Sequence, residues 1–318
     1  MGFLPAFTSI RRLLSGATSN RAGAFHAGGD SIHEQNLDHL MRRSGAEKRF
    51  GPSFRQQAAE LLKHAIVIPL PPYGQIQAPT PEGYRFEAVA ALFERQKQRI
   101  VEFYNSIAGA WNSPNLDSIT LEKPLFDELA PYWNNQYFPQ GDARSLYAIA
   151  ATCRPSKVIE MGVGNSTRFL RKAITDFDLP TRIISIDPTP RAKIAGVTDE
   201  HIEKSILDVD LALFDELGSG DVLFLDGSHV SLPGTDVPHY MLNIFPRLKP
   251  GVLVHIHDIF LPWEYRPRML LRQYNEQHMV AAMLLFSDRW DILLPVNYLQ
   301  TEGVLKHGGG SLWLRYRG

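Results

Sequence analysis

The chain of 318 residues contains one cysteine, Cys153, and carries a formal net charge of only −1. A single thiol excludes an internal disulfide framework and a multi-thiolate zinc site, and it is typical of a reducing compartment. The near-zero charge argues against the basic surface that nucleic-acid binding requires. No apolar run approaches the roughly 18 residues of a membrane span. We therefore expect a cytoplasmic protein with no nucleic-acid or membrane partner.

Acidic residues are absent from the first 29 residues, which contain three arginines. This composition is typical of a disordered tail or of a transit peptide. The tail is the preferred interpretation, and a transit peptide would instead direct the protein to an organelle. Apolar residues at helical spacing follow, from Phe54 to Ile68 and from Tyr84 to Trp111. The sequence thus predicts a flexible tail over residues 1–50, a helical accessory or cap region over 51–140, and a main domain over 141–318.

Two glycines separated by one residue, Gly162 and Gly164, follow an apolar run that contains Glu160. This pattern predicts a strand, a tight turn and a helix, with bare backbone where a nucleotide-like cofactor could approach closely. The dinucleotide-binding fingerprint has a glycine or alanine three positions after the second glycine, and that position holds Thr167. The acid before the turn and the polar residues after it suit a ligand without phosphates, such as S-adenosylmethionine.

Further apolar segments each end in or carry an acidic residue. They run from Arg182 to Asp187, Ser205 to Asp208, Asp221 to Asp226 and Gly251 to Asp258. In open α/β sheets ligands bind outside the carboxyl ends of the strands, so we expect these acids to serve one site.

The end of the chain completes the predicted architecture. Arg268 to Phe286 has helical spacing, and Trp290 to Leu294 and Ser311 to Tyr316 read as two strands. The predicted fold class is α/β: a Rossmann-like, mostly parallel sheet closed by a C-terminal hairpin, with an N-terminal helical cap.

Four ordered motifs then identify a family. They are Tyr137-Phe138-Pro139, the segment from Glu160 to Leu170, the segment from Asp221 to His229, and His255 to Pro262, and the later segment from Tyr274 to Gln277 also fits. From about Tyr137 to Leu299 the chain resembles a bacterial group of class I S-adenosylmethionine-dependent methyltransferases. The resemblance implies that residues 141–318 form an S-adenosylmethionine-binding methyltransferase domain that acts on a small molecule.

The resemblance also implies roles for individual residues. The glycine turn would lie under the methionine part of the cofactor, and Glu160 would orient the cofactor's ammonium group through the loop or a water. Asp187 would hold the ribose hydroxyls, and Asp208 would lie near the adenine amine. The cofactor-binding residues implied are Glu160, Gly162, Gly164, Asn165, Ser166, Asp187, Asp208 and Asp226.

Histidines accompany the acids at the last two parallel strands. His229 follows Asp226 by three residues, and His257 and Asp258 close the next strand. Methyl transfer requires an aligned acceptor and, for a hydroxyl, removal of its proton, for which histidine is suited by its pKa near neutrality. We expect His257, His229 and Asp258 to be catalytic. His255 shares a strand face with His257 but lies away from the sheet edge, so we expect it to be a core residue.

A divalent metal is an alternative to a histidine base. Catechol-type and macrolide O-methyltransferases hold such a metal with Asp residues at these strand ends, and Asp226 and Asp258 match two of those positions. Those enzymes have a further Asp or Asn where this chain has Ile259, and the neighbouring candidate ligands are His257 and His229 instead. Oxygen ligands favour magnesium, whereas nitrogen ligands favour zinc, manganese or iron. Both interpretations stay open at this point.

The expected function is S-adenosylmethionine-dependent methyl transfer to a small molecule, at oxygen rather than nitrogen. Two alternatives remain: a metal-dependent oxidoreductase or hydroxylase on the same fold, and a non-catalytic cofactor-binding protein. The sequence identifies no acceptor, and a homo-oligomer stays open.

Overall fold

A seven-stranded sheet forms the centre of the computed structural model, which describes residues 83–190, 195–270 and 272–318. The strands are β1 Lys157–Met161, β2 Arg182–Ile186, β3 Glu200–Ile202, β4 Val222–Leu225, β5 Leu253–Ile256, β6 Trp290–Pro295 and β7 Leu312–Tyr316. Their order across the sheet is β3-β2-β1-β4-β5-β7-β6. The first five strands are parallel, and β7 is antiparallel to both β5 and β6. The predicted mostly parallel sheet with a closing C-terminal hairpin is confirmed.

The strand order reverses between β1 and β4, since the chain leaves β1 toward β2 and later returns to the other side of β1. All four residues of β4 and all four of β5 are buried, as expected for strands covered on both faces. A crevice forms outside the carboxyl ends of the strands at such a reversal, and ligands of open α/β sheets bind there.

Helices cover the sheet. They are α1 Glu87–Trp111, α2 Gln140–Cys153, α3 Asn165–Phe177, α4 Asp236–His239, α5 Pro267–Leu270, α6 Glu276–Phe286 and α7 Val296–Thr301. Shorter 3-10 turns lie at Pro114–Ser118, Ile206–Asp208, Leu211–Glu216 and Phe245–Arg247, and Tyr240–Ile244 is a π-helical turn. Within the described ranges, no helix is both long and apolar enough to cross a membrane.

Helix α1 confirms the helix predicted from Tyr84 to Trp111, with its start at Glu87. It buries a stripe that includes Phe93, Ile100 and Ile107, at the spacing of one helix face. The predicted tail, the transit-peptide alternative and the predicted helix from Phe54 to Ile68 lie outside the described residues. The division of the chain at residues 50 and 140 stays a prediction.

Two predicted elements were wrong in detail. The third strand is Glu200–Ile202, and the segment from Ser205 to Asp208 is a 3-10 turn instead. The reason is local: the Ser205 hydroxyl accepts from the Leu207 N–H and so begins a helical turn.

The predicted helix from Arg268 to Phe286 is divided into α5 and α6. Gln273 has a φ of 63°, which interrupts the helix between them. The N–H groups of Asn275 and Glu276 then donate to the carbonyl of His229, at 3.0 and 3.2 Å. These hydrogen bonds connect the start of α6 to the loop after β4, next to the predicted site.

Candidate active site

A cavity of about 1740 Å³ opens at the carboxyl ends of the parallel strands. The predicted site residues that line it are Gly162, Gly164, Asn165, Ser166, Asp187, Asp226, His229, His257 and Asp258. Two predicted site residues, Glu160 and Asp208, do not line it. The structure thus brings the glycine turn and the strand-end histidines to one cavity.

The glycine turn packs directly on the end of β4. Gly162 has a φ of 81°, and a Cβ atom there would lie 1.9 Å from the carbonyl oxygen of Asp226. By contrast, a Cβ atom on Gly164 would have no heavy atom of the described residues within 4 Å, because it would point into open space. The turn therefore combines close packing on one side with room for a ligand on the other.

Glu160 is buried beneath this turn and does not reach the cavity. Its carboxylate accepts from the hydroxyls of Ser166 at 2.6 Å and Thr167 at 2.7 Å, and Ser185 lies at 3.4 Å. Burial raises the pKa of Glu160 to about 7, although these hydroxyl donors favour the charged form. Because α3 supplies its partners, Glu160 anchors the start of α3 to β1 and has no direct path to a ligand.

We expect Glu160→Gln to change how stability depends on pH. The pKa of Glu160 is about 7 in the folded chain, against an ordinary value of 4.5. Between these pH values the unfolded chain loses the proton and the folded chain keeps it, so the wild type loses stability as the pH rises. At about 1.4 kcal/mol per pH unit, the loss is about 3 kcal/mol, and the glutamine variant lacks it. Urea unfolding of both proteins at pH 4.5 to 7.5 measures the difference. The prediction is contradicted if the free energy of unfolding changes with pH by the same amount in the wild type and in the variant.

The two acids predicted at the second and third strands have different locations. Asp187 lines the cavity and accepts from the N–H groups of Val163 at 3.1 Å and Thr189 at 2.8 Å. A carboxylate has about four acceptor sites, so Asp187 keeps capacity for a ligand. Asp208 is exposed at the end of its 3-10 turn, and Ser205 and Ile206 of that turn line the cavity in its place.

Four side chains meet at the ends of β4 and β5. Oδ1 of Asp226 lies 3.4 Å from Nε2 of His229 and 3.4 Å from Nδ1 of His257. Asp258 faces the same two nitrogens, at 3.6 Å from His229 and 3.9 Å from His257. We call Asp226, His229, His257 and Asp258 the strand-end cluster.

The other nitrogen of each imidazole is held by a buried carboxylate. Nε2 of His257 lies 3.0 Å from Oδ2 of Asp142, and Nδ1 of His229 lies 2.8 Å from Oε2 of Glu276. Asp142 also accepts from two backbone N–H groups of the loop before β7, and Glu276 accepts from the Tyr240 hydroxyl. Both histidine rings are therefore fixed in orientation. Asp142 and Glu276 were not predicted from the sequence, and they lie 115 and 47 residues from their histidines.

Two members of the cluster have unusual backbone conformations. His229 has a φ of 59° and Asp258 a φ of 53°, in the left-handed region that residues other than glycine rarely adopt. The His229 carbonyl is held by the start of α6, and a Cβ atom on Gly310 would lie 3.0 Å from the Asp258 Cα. Such conformations persist where the surroundings enforce them, and they concentrate at active sites.

The cluster favours charged imidazoles beside charged carboxylates. Burial disfavours the charged form of His257. The carboxylates of Asp226 and Asp142 outweigh this effect of burial and raise the pKa of His257 well above the ordinary value. The pKa of His229 is raised in the same way, against burial, by Asp226 and Glu276. The pKa of Asp226 is lowered because the two histidines outweigh its burial.

His255 is a core residue, as predicted. It is fully buried, its ring stacks on Phe224 with centroids 3.9 Å apart, and its Nε2 lies 2.7 Å from the Ser311 hydroxyl. Burial lowers its pKa to about 3, so this imidazole is neutral at physiological pH. Among the residues that the structure describes, no group of three or more His, Cys, Asp and Glu side chains has the spacing of a formed metal site.

A Rossmann-like sheet with a glycine turn and polar strand ends around one cavity is the architecture of class I methyltransferases. Residues 159–259 match the family model described as "Methyltransferase domain". This segment runs from β1 to the residue after Asp258 and contains the whole strand-end cluster. This segment of the chain is therefore similar to a methyltransferase domain, and it lies within a sheet of the Rossmann-like methyltransferase type.

Solved structures of methyltransferases are similar to this chain. An S-adenosylhomocysteine-bound methyltransferase of Podospora anserina is 16% identical, covers 76% of this chain and 100% of its own, and has a TM-score of 0.38. An O-methyltransferase from Bacillus cereus, also with S-adenosylhomocysteine, is 12% identical, covers 73% and 100%, and has a TM-score of 0.37. No curated protein matches the chain.

Proposed function

We propose that the chain transfers the methyl group of S-adenosylmethionine to a hydroxyl group of a small molecule. The observation that carries this proposal is the single cavity lined by both the glycine turn and the strand-end cluster. S-adenosylmethionine supplies an electrophilic methyl group when bound. Membership of the bacterial group with the Asp226-Gly227-Ser228-His229 and His255 to Pro262 motifs, and a cytoplasmic location, are parts of the same proposal.

The cofactor would lie across the glycine turn. The open space at Gly164 accommodates it, and Asn165 and Ser166 line the same wall. Asp187 has acceptor capacity for the ribose hydroxyls at the end of β2. The Asp226 backbone packs on the glycine turn and its carboxylate faces His229 and His257, so Asp226 can contact both the cofactor and the methyl acceptor.

Proton removal favours oxygen over nitrogen as the acceptor atom. A hydroxyl must lose its proton during methyl transfer, and the cluster places two oriented imidazoles on the cavity. We assign His257 as the base, with Asp142 holding its ring and His229 as the neighbouring polar group. The raised pKa of His257 requires that it first lose its own proton, and the positive charge of a bound cofactor near Asp226 favours that loss.

A divalent metal is the second candidate for this step, and one observation favours it. The inner nitrogens of His229 and His257 face carboxylate oxygens, while their outer nitrogens are bound by buried carboxylates, an arrangement common for metal-ligating histidines. Asp226, His257 and Asp258 would hold the ion together with His229. This mixed donor set fits zinc, manganese or iron better than magnesium. When bound, such an ion would lower the pKa of the acceptor hydroxyl.

Calorimetry with S-adenosylhomocysteine, with and without a chelator, tests the proposal beside metal analysis of the purified protein. We expect binding in the micromolar range in both conditions, since the glycine turn and Asp187 are independent of any ion. S-adenosylhomocysteine formation that survives the chelator supports His257 as the base, whereas formation that is lost and restored by added metal supports the metal. Absence of binding would overturn the proposal. Absence of binding with stoichiometric iron would favour a metal-dependent oxidoreductase.

A further inference from the structure

Arg168 is a buried cation without an anionic partner among the described residues. It lies in the first turn of α3 and is 4% exposed. Its guanidinium makes no hydrogen bond or ion pair with any described residue, and its Nε atom is buried without a partner there. The contact that it does make is with the Tyr132 ring, whose centroid lies 5.9 Å from Cζ. Arg168 also lines the cavity.

This situation differs from that of Arg171, one turn later on the same helix. Arg171 donates to Asp199 at 2.8 Å and to the carbonyl of Val197 at 2.9 Å. A buried charge without a partner is destabilising by several kcal/mol in general. Because Arg168 faces the cavity, a negatively charged ligand there would supply the missing partner.

The start of α3 is a second and independent feature of the same wall. The helix has thirteen residues, its N-cap is Gly164, and its first turn contains no acidic residue. The first N–H groups of a helix have no acceptor inside it, and the helix dipole places partial positive charge there. Helix starts of this kind bind phosphates and carboxylates. Asn165 and Ser166 of this turn line the cavity beside Arg168.

We propose that Arg168 and the first turn of α3 bind the carboxylate of the amino-acid part of the cofactor. The inference rests on the proposed cofactor and adds the residue that recognises its charged end. The glycine turn leads directly into this helix, so a cofactor lying across Gly164 would bring its amino-acid end to the first turn. Glu160, which the family resemblance assigned to that end, is occupied by hydroxyls beneath the turn.

Two ligands that differ in this group test the proposal. S-adenosylhomocysteine carries the carboxylate and ammonium groups, whereas 5′-methylthioadenosine carries neither. Calorimetry on the full chain compares both ligands for the wild type, Arg168→Gln and Arg168→Lys. We expect Arg168→Gln to lower the affinity for S-adenosylhomocysteine about tenfold or more, because a charge-assisted hydrogen bond to its carboxylate is lost. The affinity for 5′-methylthioadenosine, which has no carboxylate, should fall less than about twofold. Arg168→Lys should retain part of the affinity.

Arg266→Gln is the matched control. Arg266 lines the same cavity but is exposed and stacks on Phe260, so neither affinity should change. Equal weakening of both ligands by Arg168→Gln would assign Arg168 a structural role and overturn the inference, as would no weakening at all. Failure of the wild type to bind either ligand would overturn the proposed function and the inference together.

Discussion

Replacement of His257 by asparagine is expected to reduce methyl transfer about 10² to 10⁴-fold, the range for loss of a positioned acid–base group. His257 faces Asp226 and Asp258 on the cavity, and Asp142 fixes its ring at 3.0 Å. Asparagine keeps a donor for Asp142 but can neither take up the proton nor replace the imidazole. S-adenosylhomocysteine formation with a panel of small hydroxyl compounds measures the loss. Cofactor affinity should change less than about threefold, because the glycine turn is untouched.

His255→Asn is a matched control on the same strand. His255 is buried in the core and does not line the cavity, so its replacement should lower the melting temperature and leave turnover per folded molecule unchanged. A His257 variant with full turnover would show that proton removal does not occur there. In that case His229→Asn, whose ring Glu276 holds in the same way, becomes the variant to measure.

The sheet could be predicted because its strands are short apolar runs that end in polar residues. The length of each run, and the glycines, prolines and acids around it, distinguish it from the neighbouring helices and loops. The carboxyl ends of parallel strands then lie at one edge of the sheet. That geometry alone brings Asp226 and His257 together, although 31 residues separate them in the chain. The segment from Ser205 to Asp208 was misassigned because a serine that caps a turn looks the same in the sequence as one that begins a strand.

Asp142 and Glu276 could not be predicted in the same way. Each lies in a helix that packs across the sheet edge, so its distance to a histidine depends on the packing of that helix and on the loop before β7. The sequence offers a weak signal for both, an acid in the first turn of each of α2 and α6, and Glu276 also lies in the segment from Tyr274 to Gln277 that fits the family, without a role assigned to it. Acids are common at that position because they interact with the helix dipole, so the signal alone does not indicate a site.

Glu160 has an indirect role in the family pattern, and its direct partners in the structure are hydroxyl groups. The pattern assigned Glu160 to the cofactor, but the residues after Gly164 bring two hydroxyls within 2.7 Å of its carboxylate. Those hydroxyls lie in the first turn of α3 and satisfy the carboxylate from below the turn. The role proposed for Arg168 is a different one, since it concerns the carboxylate of the cofactor and not its ammonium group, and Arg168 faces the cavity from the same turn.

Gly162→Ala is expected to destabilise the fold by about 3 kcal/mol. An alanine at a φ of 81° costs about 1 to 2 kcal/mol, and the new methyl group would lie 1.9 Å from the Asp226 carbonyl oxygen, which must move. That carbonyl is the backbone of Asp226, a member of the strand-end cluster, so S-adenosylhomocysteine binding and turnover should fall as well. Urea unfolding and calorimetry measure the two effects. A variant as stable as the wild type would contradict the close packing of the turn on β4.

Gly164→Ala separates packing from ligand binding at the same turn. No heavy atom of the described residues lies within 4 Å of the position that the new methyl group would take, so the free energy of unfolding should change by less than about 1 kcal/mol. The methyl group would instead occupy space in the cavity, and S-adenosylhomocysteine affinity should fall about tenfold or more because overpacking costs roughly 1 to 3 kcal/mol. If the cofactor lies across this turn, Gly162→Ala should lower the free energy of unfolding, whereas Gly164→Ala should lower only the affinity for S-adenosylhomocysteine. Unchanged affinity in the Gly164 variant would show that the cofactor lies elsewhere in the cavity.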